Sequence, residues 1–180
     1  MMQSKRLTFS DVKISDAADF MEYMQRPDYS HFIPMELPSR EGLERYLQSC
    51  ALEQKKTPRW SFFMAARLLG NPKVIGEAVI NLLPNDTSCG EIGWAVHGDY
   101  LGDGIASEIG SALLSFGFIN LKLHRIQARC HPENLASIRI MNKLGMKAEG
   151  LIREHIFSKG VWWSSYQASI LETEFSKIFS

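Results

Sequence analysis

The sequence predicts an α/β (α+β) fold in one domain over residues 1–180, built on a mixed, mostly antiparallel sheet of six or seven strands flanked by helices. Three observations predict it. Apolar runs at 60–69 and 74–83 are joined by Gly70-Asn-Pro72, which reads as an antiparallel hairpin. Runs at 147–158 and 161–171 meet at Lys159-Gly160, a second hairpin that ends the fold. Between the hairpins come a strand to Val96, a glycine-punctuated loop, a long helix and a strand at 124–130. A strand–helix–strand crossover of this kind is right-handed, and it makes strands four and five of the chain parallel.

Taken in order, 5–13 places Leu7, Phe9 and Val12 as a first strand. Ser15 and Asp16 start a helix carrying Ala17, Phe20, Met21 and Met24, which Pro27 ends or lies just beyond. Residues 28–38 form a loop rich in aromatic residues and proline. Ser39 opens a second helix with Leu43, Tyr46, Leu47, Cys50 and Ala51 on its apolar positions. The first hairpin follows, then the fourth strand at about 89–96. In the helix from Ile105 to Phe118, residues 105, 109, 112, 113 and 116 line one wide apolar face. The fifth strand alternates Ile126, Ala128 and Cys130 with Arg125, Gln127 and Arg129. Asn134 then caps a helix bearing Leu135, Ile138, Met141 and Leu144, and Gly145 sits at its C-terminal turn.

Composition narrows the class. Lys plus Arg and Asp plus Glu are 20 each, so no net positive field argues for nucleic acid. Apolar residues make up 45% and charged residues 22%, as in an ordinary globular protein. The three cysteines, Cys50, Cys89 and Cys130, lie far apart, and His124 and His131 do not complete a ligand set, so no metal is expected. No apolar run approaches the roughly 18–20 residues of a membrane span and the N-terminus lacks a signal-peptide pattern, so a cytoplasmic location is expected.

The stretch from Trp94 to Glu108 organises the chemistry. Gly102 and Gly104 permit positive φ and close backbone approach, and the helix behind them directs free N–H groups and the positive end of its dipole outward. That is an anion site, and phosphate is the usual anion. The residue pattern is not a P-loop, since no Lys follows Gly104, and Ser107 replaces the third glycine of a dinucleotide fingerprint. A plain glycine-rich connection to a core helix is the alternative.

The loop Asp99-Tyr-Leu-Gly102-Asp-Gly104 resembles motif A of the GNAT superfamily of acetyl-CoA-dependent N-acetyltransferases, Q/R-x-x-G-x-G/A, and departs from it at Asp99. Asn134-Leu-Ala-Ser137 through Lys143-Leu-Gly145 to Glu149-Gly150 is similar to the second motif of the subgroup that acetylates ribosomal-protein N-termini (alanine or serine). Glu91-Ile-Gly-Trp94 and Trp162-Trp163 fit the same subgroup, and the likeness covers roughly 5–172. The resemblance implies transfer of an acetyl group from acetyl-CoA to a primary amine by direct attack on the thioester, with no metal. It also implies that strands four and five splay apart. Trp94, Ala95 and Val96 would then meet the pantetheine, while Leu101, Gly102, Asp103, Gly104, Ile105 and Ala106 would hold the pyrophosphate, with Asn134 and Ser137 alongside.

An attacking amine must be neutral, so a base and an acid are sought. The Tyr that many family members carry at the Met141 position is missing here. The subgroup implies Ser137 as acid, assisted by Asn134; the alternatives are an ordinary first-turn serine and a pure helix cap. Glu91 is the first candidate base, against a plain solvated strand residue. The glutamate expected from the subgroup falls at Ile156, with Glu154 two residues away on the same strand face. His97 reads as structural or as a titrating group. An acceptor would enter between 28–38 and the last hairpin, past Tyr29, Phe32, Glu154 and Trp162, with Phe157 and Trp163 nearby. Such an aromatic wall suits a protein or peptide N-terminal amine better than a polycation. A small-molecule amine, a non-catalytic acyl-CoA sensor and a homodimer that closes the site stay open, whereas nucleic acid and membrane partners are not expected.

Overall fold

The computed structural model describes residues 2–84 and 86–178. Its strands are β1 (Met2–Gln3), β2 (Leu7–Asp11), β3 (Ser61–Leu68), β4 (Val74–Leu83), β5 (Asp86–Val96), β6 (Arg125–Cys130), β7 (Lys147–Ser158) and β8 (Val161–Leu171). They form one eight-stranded sheet in the order β1-β2-β3-β4-β5-β6-β8-β7. Only β5 and β6 are parallel neighbours; all other pairs are antiparallel. The strand count exceeds the expected six or seven because two residues at the start pair Met2 with Phe9 and Gln3 with Thr8. Two residues are too few to show a period in the sequence, and this addition makes the fourth and fifth expected strands β5 and β6.

The helices are α1 (Ala17–Met24), α2 (Pro27–Ser30), α3 (Arg40–Glu53), α4 (Ile105–Ser115), α5 (Leu135–Lys143) and α6 (Glu172–Ile178). Helix α1 ends at Met24, so Pro27 lies just beyond it as expected, and Pro27 itself opens α2, where its missing N–H costs nothing. Ser39 caps α3 by accepting from the Gly42 N–H at 3.1 Å. The long helix widens into a π-type turn at Phe116–Asn120. The sequence reading did not mark α6; it docks through buried Phe175, whose ring lies 4.9 Å from that of Phe118. No described helix is long and apolar enough to cross a membrane.

Two cores sandwich the first half of the sheet. Phe20 and Tyr23 of α1 and Leu43 and Leu47 of α3 bury one face of β3 and β4 against Phe63, Ala65 and Val74. Ile105, Ile109 and Leu113 of α4 cover the other face, with Ala78, Ile80 and Ile92. Helix α5 continues this layer through Met141 and Leu144. A Cβ on Gly110 of α4 would lie 2.5 Å from Leu144, so that glycine sets how closely the two helices pack.

The sheet is open where the function is expected. β5 and β6 pair from Cys89↔Arg125 to Ile92↔Ala128 and no further. Beyond that point β5 follows β4 as far as Gly76↔Val96, while β6 follows β8 to Cys130↔Tyr166. The two halves of the sheet therefore diverge as a V, with Gly93–Val96 on one arm.

Gly76 holds the first arm together. A Cβ there would sit 2.6 Å from the Ala95 carbonyl oxygen and 3.4 Å from Val96 Cα, both backbone atoms that cannot rotate aside. Gly76→Ala is therefore expected to destabilise the fold by about 1–3 kcal/mol. A denaturant midpoint unchanged from wild type would show that the β4–β5 spacing is not constrained at this point.

Candidate active site

Loop 97–104 leaves the β5 arm and turns into α4. Gly102 and Gly104 have φ values of 88° and 77°, the left-handed region that a side chain resists. A Cβ at Gly102 would meet no atom within 4 Å, so the glycines are required by conformation, and the space above them is open. Gly104 is the N-cap of α4 and offers no capping side chain, so the first N–H groups of the helix face outward. Arg6 was not singled out in the sequence. Its Nη1 donates to the Asp103 carbonyl at 3.0 Å, and its Nε pairs with Glu108 at 2.7 Å. The guanidinium so held lies 3.7 Å from where a Gly104 Cβ would be, which adds fixed positive charge to the cradle. Leu101 is exposed at the loop tip, whereas Ile105 is buried and anchors the helix start. This arrangement fits a pyrophosphate.

The V between the strands fits the rest of a CoA thioester. The His97 N–H donates to Ile75 of β4 at 2.8 Å. Backbone groups alternate sides along a strand, so those of Trp94 and Val96 face the β6 side, past the end of the ladder, and those of Ala95 face β4. A cavity of about 90 Å³ occupies the opening, lined by Ile92, Gly93, Trp94, Ala128, Arg129, Ser137 and Met141. Ser137 thus reaches the V from the first turn of α5. Asn134 caps that turn, its Oδ1 accepting from the Ser137 N–H at 3.0 Å. Asn134 and Ser137 are brought together as expected.

The opposite face of β5 forms a polar floor. Glu91 lies there, its carboxylate held in a fork by Arg129 (2.6 and 3.1 Å) and bonded by Gln127 Nε2 at 2.8 Å. Both oxygens are engaged, and the fork fixes the orientation of the carboxylate. Gly93 is next on that face, and a Cβ there would meet no atom within 4 Å. Beyond it, Ala95 pairs with Glu77 of β4. Glu77 was missed by the sequence reading, although a single acid in the run Val74-Ile-Gly-Glu-Ala-Val-Ile was the available signal. It is half-buried and accepts from the Tyr23 hydroxyl at 3.2 Å and the Tyr29 hydroxyl at 3.4 Å. Desolvation pushes its pKa up to about 7, against the downward pull of the two hydroxyls.

The mouth above this floor joins the loop after α2 to the last hairpin. Phe32 stacks on His131 with centroids 5.4 Å apart, and His131 meets the edge of Trp163 at 5.3 Å. Lys159 Nζ donates to the Ile33 carbonyl at 3.0 Å. Trp163 therefore takes the place expected for Trp162. Trp162 pairs with Phe157 on the alternate face of the hairpin and is 59% exposed. Glu154 is exposed at a bulge where β7 register jumps from Ile152↔Ser165 to Ile156↔Trp163, and it has a φ of 45°. Tyr29 faces Glu77 rather than the hairpin. Arg26 links the acceptor loop to the phosphate loop, pairing with Asp28 at 3.3 Å and Asp99 at 2.9 Å. His97 is buried, and its Nδ1 accepts from the Asp99 N–H at 3.1 Å, a bond that shapes the loop. Among the described residues, no group of three or more His, Cys, Asp or Glu is placed to hold a metal ion.

Two predictions follow from this geometry. Gly104→Val is expected to weaken acetyl-CoA binding at least tenfold, because a β-branched residue resists positive φ and projects into the phosphate space. Calorimetric titration showing unchanged affinity in a folded variant would remove the loop from the cofactor site. Glu77→Gln tests the raised carboxyl through stability. Between pH 4.5 and about 7 the native state keeps a proton that the unfolded chain has released, so wild-type stability falls as pH rises through that window. Glutamine escapes this penalty, and the Tm of Glu77→Gln relative to wild type should be higher at pH 8 than at pH 4.5. An equal difference at both pH values would show that Glu77 ionises normally.

Comparison with known proteins identifies the family. The acetyltransferase (GNAT) domain family matches residues 6–147. The N-acetyltransferase YnaD of Bacillus subtilis, itself uncharacterised, is 44% identical over 86 residues, and that match spans 48% of this chain and 51% of YnaD. A GNAT-family acetyltransferase from Bacillus anthracis superposes with a TM-score of 0.82 at 30% identity, covering 96% of this chain and 99% of that one. A structure described as a putative ribosomal-protein-serine acetyltransferase from Vibrio cholerae shares the fold, with a TM-score of 0.80, 19% identity and coverage of 94% and 96%. An N–H-lined phosphate loop, a sheet split beside it and a matching family profile lead to one assignment: this chain belongs to the GNAT acetyltransferase family.

Proposed function

We propose that this N-acetyltransferase moves the acetyl group of acetyl-CoA to the α-amine of a protein or peptide N-terminus. The observation that supports it best is the V at Ile92–Val96, with a Ser137-lined cavity on one side and the open floor at Gly93 on the other. Bound acetyl-CoA supplies an activated acyl thioester. The chain supplies position, charge and proton transfer. The amides of Leu101–Ala106 hold the pyrophosphate, with Arg6 adding charge beside Gly104. The Trp94 and Val96 backbone groups pair with the pantetheine amides as an added strand, and a strand N–H polarises the thioester carbonyl. Ser137 Oγ gives its proton to the departing sulfur, while Asn134 keeps the turn that carries it in place. Glu91, fixed by Arg129 and Gln127, lines the floor and orients the acceptor rather than taking its proton.

The choice of a peptide rests on the mouth. Phe32, His131 and Trp163 make an aromatic wall, Glu91 is already neutralised by Arg129, and Glu77 is a single carboxyl held by two phenols. A polycationic amine would want unpaired carboxylates there, whereas an extended chain with one terminal charge needs surface contact. The motif around Asn134 and Ser137 points to the same acceptor through its likeness to the ribosomal-protein subgroup.

The test is a parallel screen of N-terminal peptides, polyamines, aminoglycosides and free amino acids, read by CoA thiol release and product mass. Peptides should be acetylated at the α-amine, and Ser137→Ala should lower kcat about 10²-fold. An active small amine beside inert peptides would overturn the acceptor. Acetyl-CoA binding without thiol release for any amine would make the protein an acyl-CoA sensor instead.

A further inference from the structure

We propose that Glu77 is the proton acceptor of the reaction: its carboxylate, suspended between Tyr23 and Tyr29 beside the open floor at Gly93, takes the proton that separates an incoming ammonium from a nucleophilic amine. The proposal rests on the acetyl-transfer reading above. It starts from placement. In the antiparallel register, Glu77↔Ala95 and Val79↔Gly93 put Glu77 on the same sheet face as Gly93, one alternate position along. Ala95 and Gly93 carry little or no side chain, and the position above Gly93 is empty within 4 Å. The lane from Glu77 to the edge of the V therefore has no bulky side chain on the β5 side. The carboxyl itself is desolvated beneath that lane, so the proton passes to it from the amine through a bridging water.

The charge environment supports the same role. Glu22, Glu91 and Glu108 are each tied to Lys or Arg, at 2.8, 2.6 and 2.7 Å. Among the described residues, the side chains bonded to Glu77 are neutral phenols. Around it stand Tyr23 of α1, Tyr29 of α2 and, farther out, Tyr46 of α3, with Ala65 of β3 and Ala95 of β5 as its strand neighbours. His97 touches the ring of Tyr23, but its Nε2 faces Glu22 at 3.4 Å. A glutamine would bond the same two hydroxyls without the cost of enclosing an ionisable group, so packing alone does not call for an acid here. A base is most effective when its pKa lies near the working pH, which the desolvated carboxyl satisfies.

The step balances. The ammonium gives one proton to the Glu77 carboxylate and becomes a neutral amine, which a thioester can accept as nucleophile. Its nitrogen forms a C–N bond as the C–S bond breaks, and the second N–H proton leaves as the sulfur becomes a thiol with Ser137 as donor and relay. Glu77 then returns its proton to water. Tyr29 lies in α2, which opens the acceptor loop, so acceptor docking and the base share one element.

The experiment measures kcat against pH at saturating substrates for wild type, Glu77→Gln and Tyr29→Phe. Acetyl-CoA affinity and the infrared band of protonated carboxyl are measured on the same samples. Wild-type kcat should rise through an inflection near neutrality. Glu77→Gln should lose that inflection and about 10²–10⁴ in kcat, with unchanged acetyl-CoA affinity. Tyr29→Phe removes a hydroxyl that favours the carboxylate, so its inflection should move to higher pH, a shift that a purely structural role would not produce. A carboxyl band titrating near neutrality in wild type should vanish in Glu77→Gln, whether or not any acceptor turns over. Glu77→Gln keeping the inflection and kcat within a few-fold would overturn the proposal, as would the absence of such a band. A wild type that binds acetyl-CoA and acetylates no amine would instead overturn the acetyl-transfer reading, and this proposal with it.

Discussion

β5 is hydrogen-bonded along both edges only as far as Ile92, and the backbone groups of Trp94 and Val96 beyond it face a gap. Polar backbone groups inside a fold need partners, so an unpaired arm in the middle of a sheet is stable only where water or a ligand completes it. The remaining architecture serves that arm. β4 stays with β5 through Val96, close enough at Gly76 to exclude even a methyl group, and stops the arm from collapsing onto β6. Helices α4 and α5 close one side of the gap, interlocked at Gly110 and Leu144. The loop from His97 to Gly104 simply continues β5, so the candidate anion cradle and the open arm are one stretch of backbone.

Charge is distributed to the same end. With equal numbers of acidic and basic residues, long-range steering is weak and local pairing decides. Arg6 locks Glu108 and the Asp103 carbonyl behind the phosphate loop. Arg26 ties Asp99 of that loop to Asp28 of α2, so salt bridges join the two segments. Such exposed pairs contribute little to stability singly, and their value lies in orientation. Glu77 stands apart as a carboxyl enclosed by aromatic hydroxyls, a costly arrangement of the kind that collects at functional sites.

Much of this was legible along the chain because its signals are local. Gly102 and Gly104 adopt the positive φ their pattern implied, Asn134 caps the helix that brings Ser137 to the gap, and Lys159-Gly160 turns the last hairpin through φ values of 53° and 76°. The parallel pair β5–β6 followed from handedness alone. What escaped depends on contacts between distant segments. The two-residue β1 exists only by pairing with β2, and α6 docks Phe175 on Phe118 and pairs Glu174 with Lys147. Trp162 and Trp163 are indistinguishable by composition until the register of β8 on β6 sets which of them faces His131.

The sequence by itself determined the fold class, the positive-φ turn at Gly102 and Gly104 and the parallel crossover, because glycine conformations, caps and strand handedness are properties of short segments. Only the tertiary structure decided which partners each carboxyl receives. Glu91 and Glu77 both read as single acids on strands. Folding places Arg129 and Gln127, 38 and 36 residues away, on one, and Tyr23 and Tyr29, 54 and 48 residues away, on the other. A proton affinity is set by the dielectric and the charges within a few ångströms, and those neighbours come from parts of the chain that no local pattern connects.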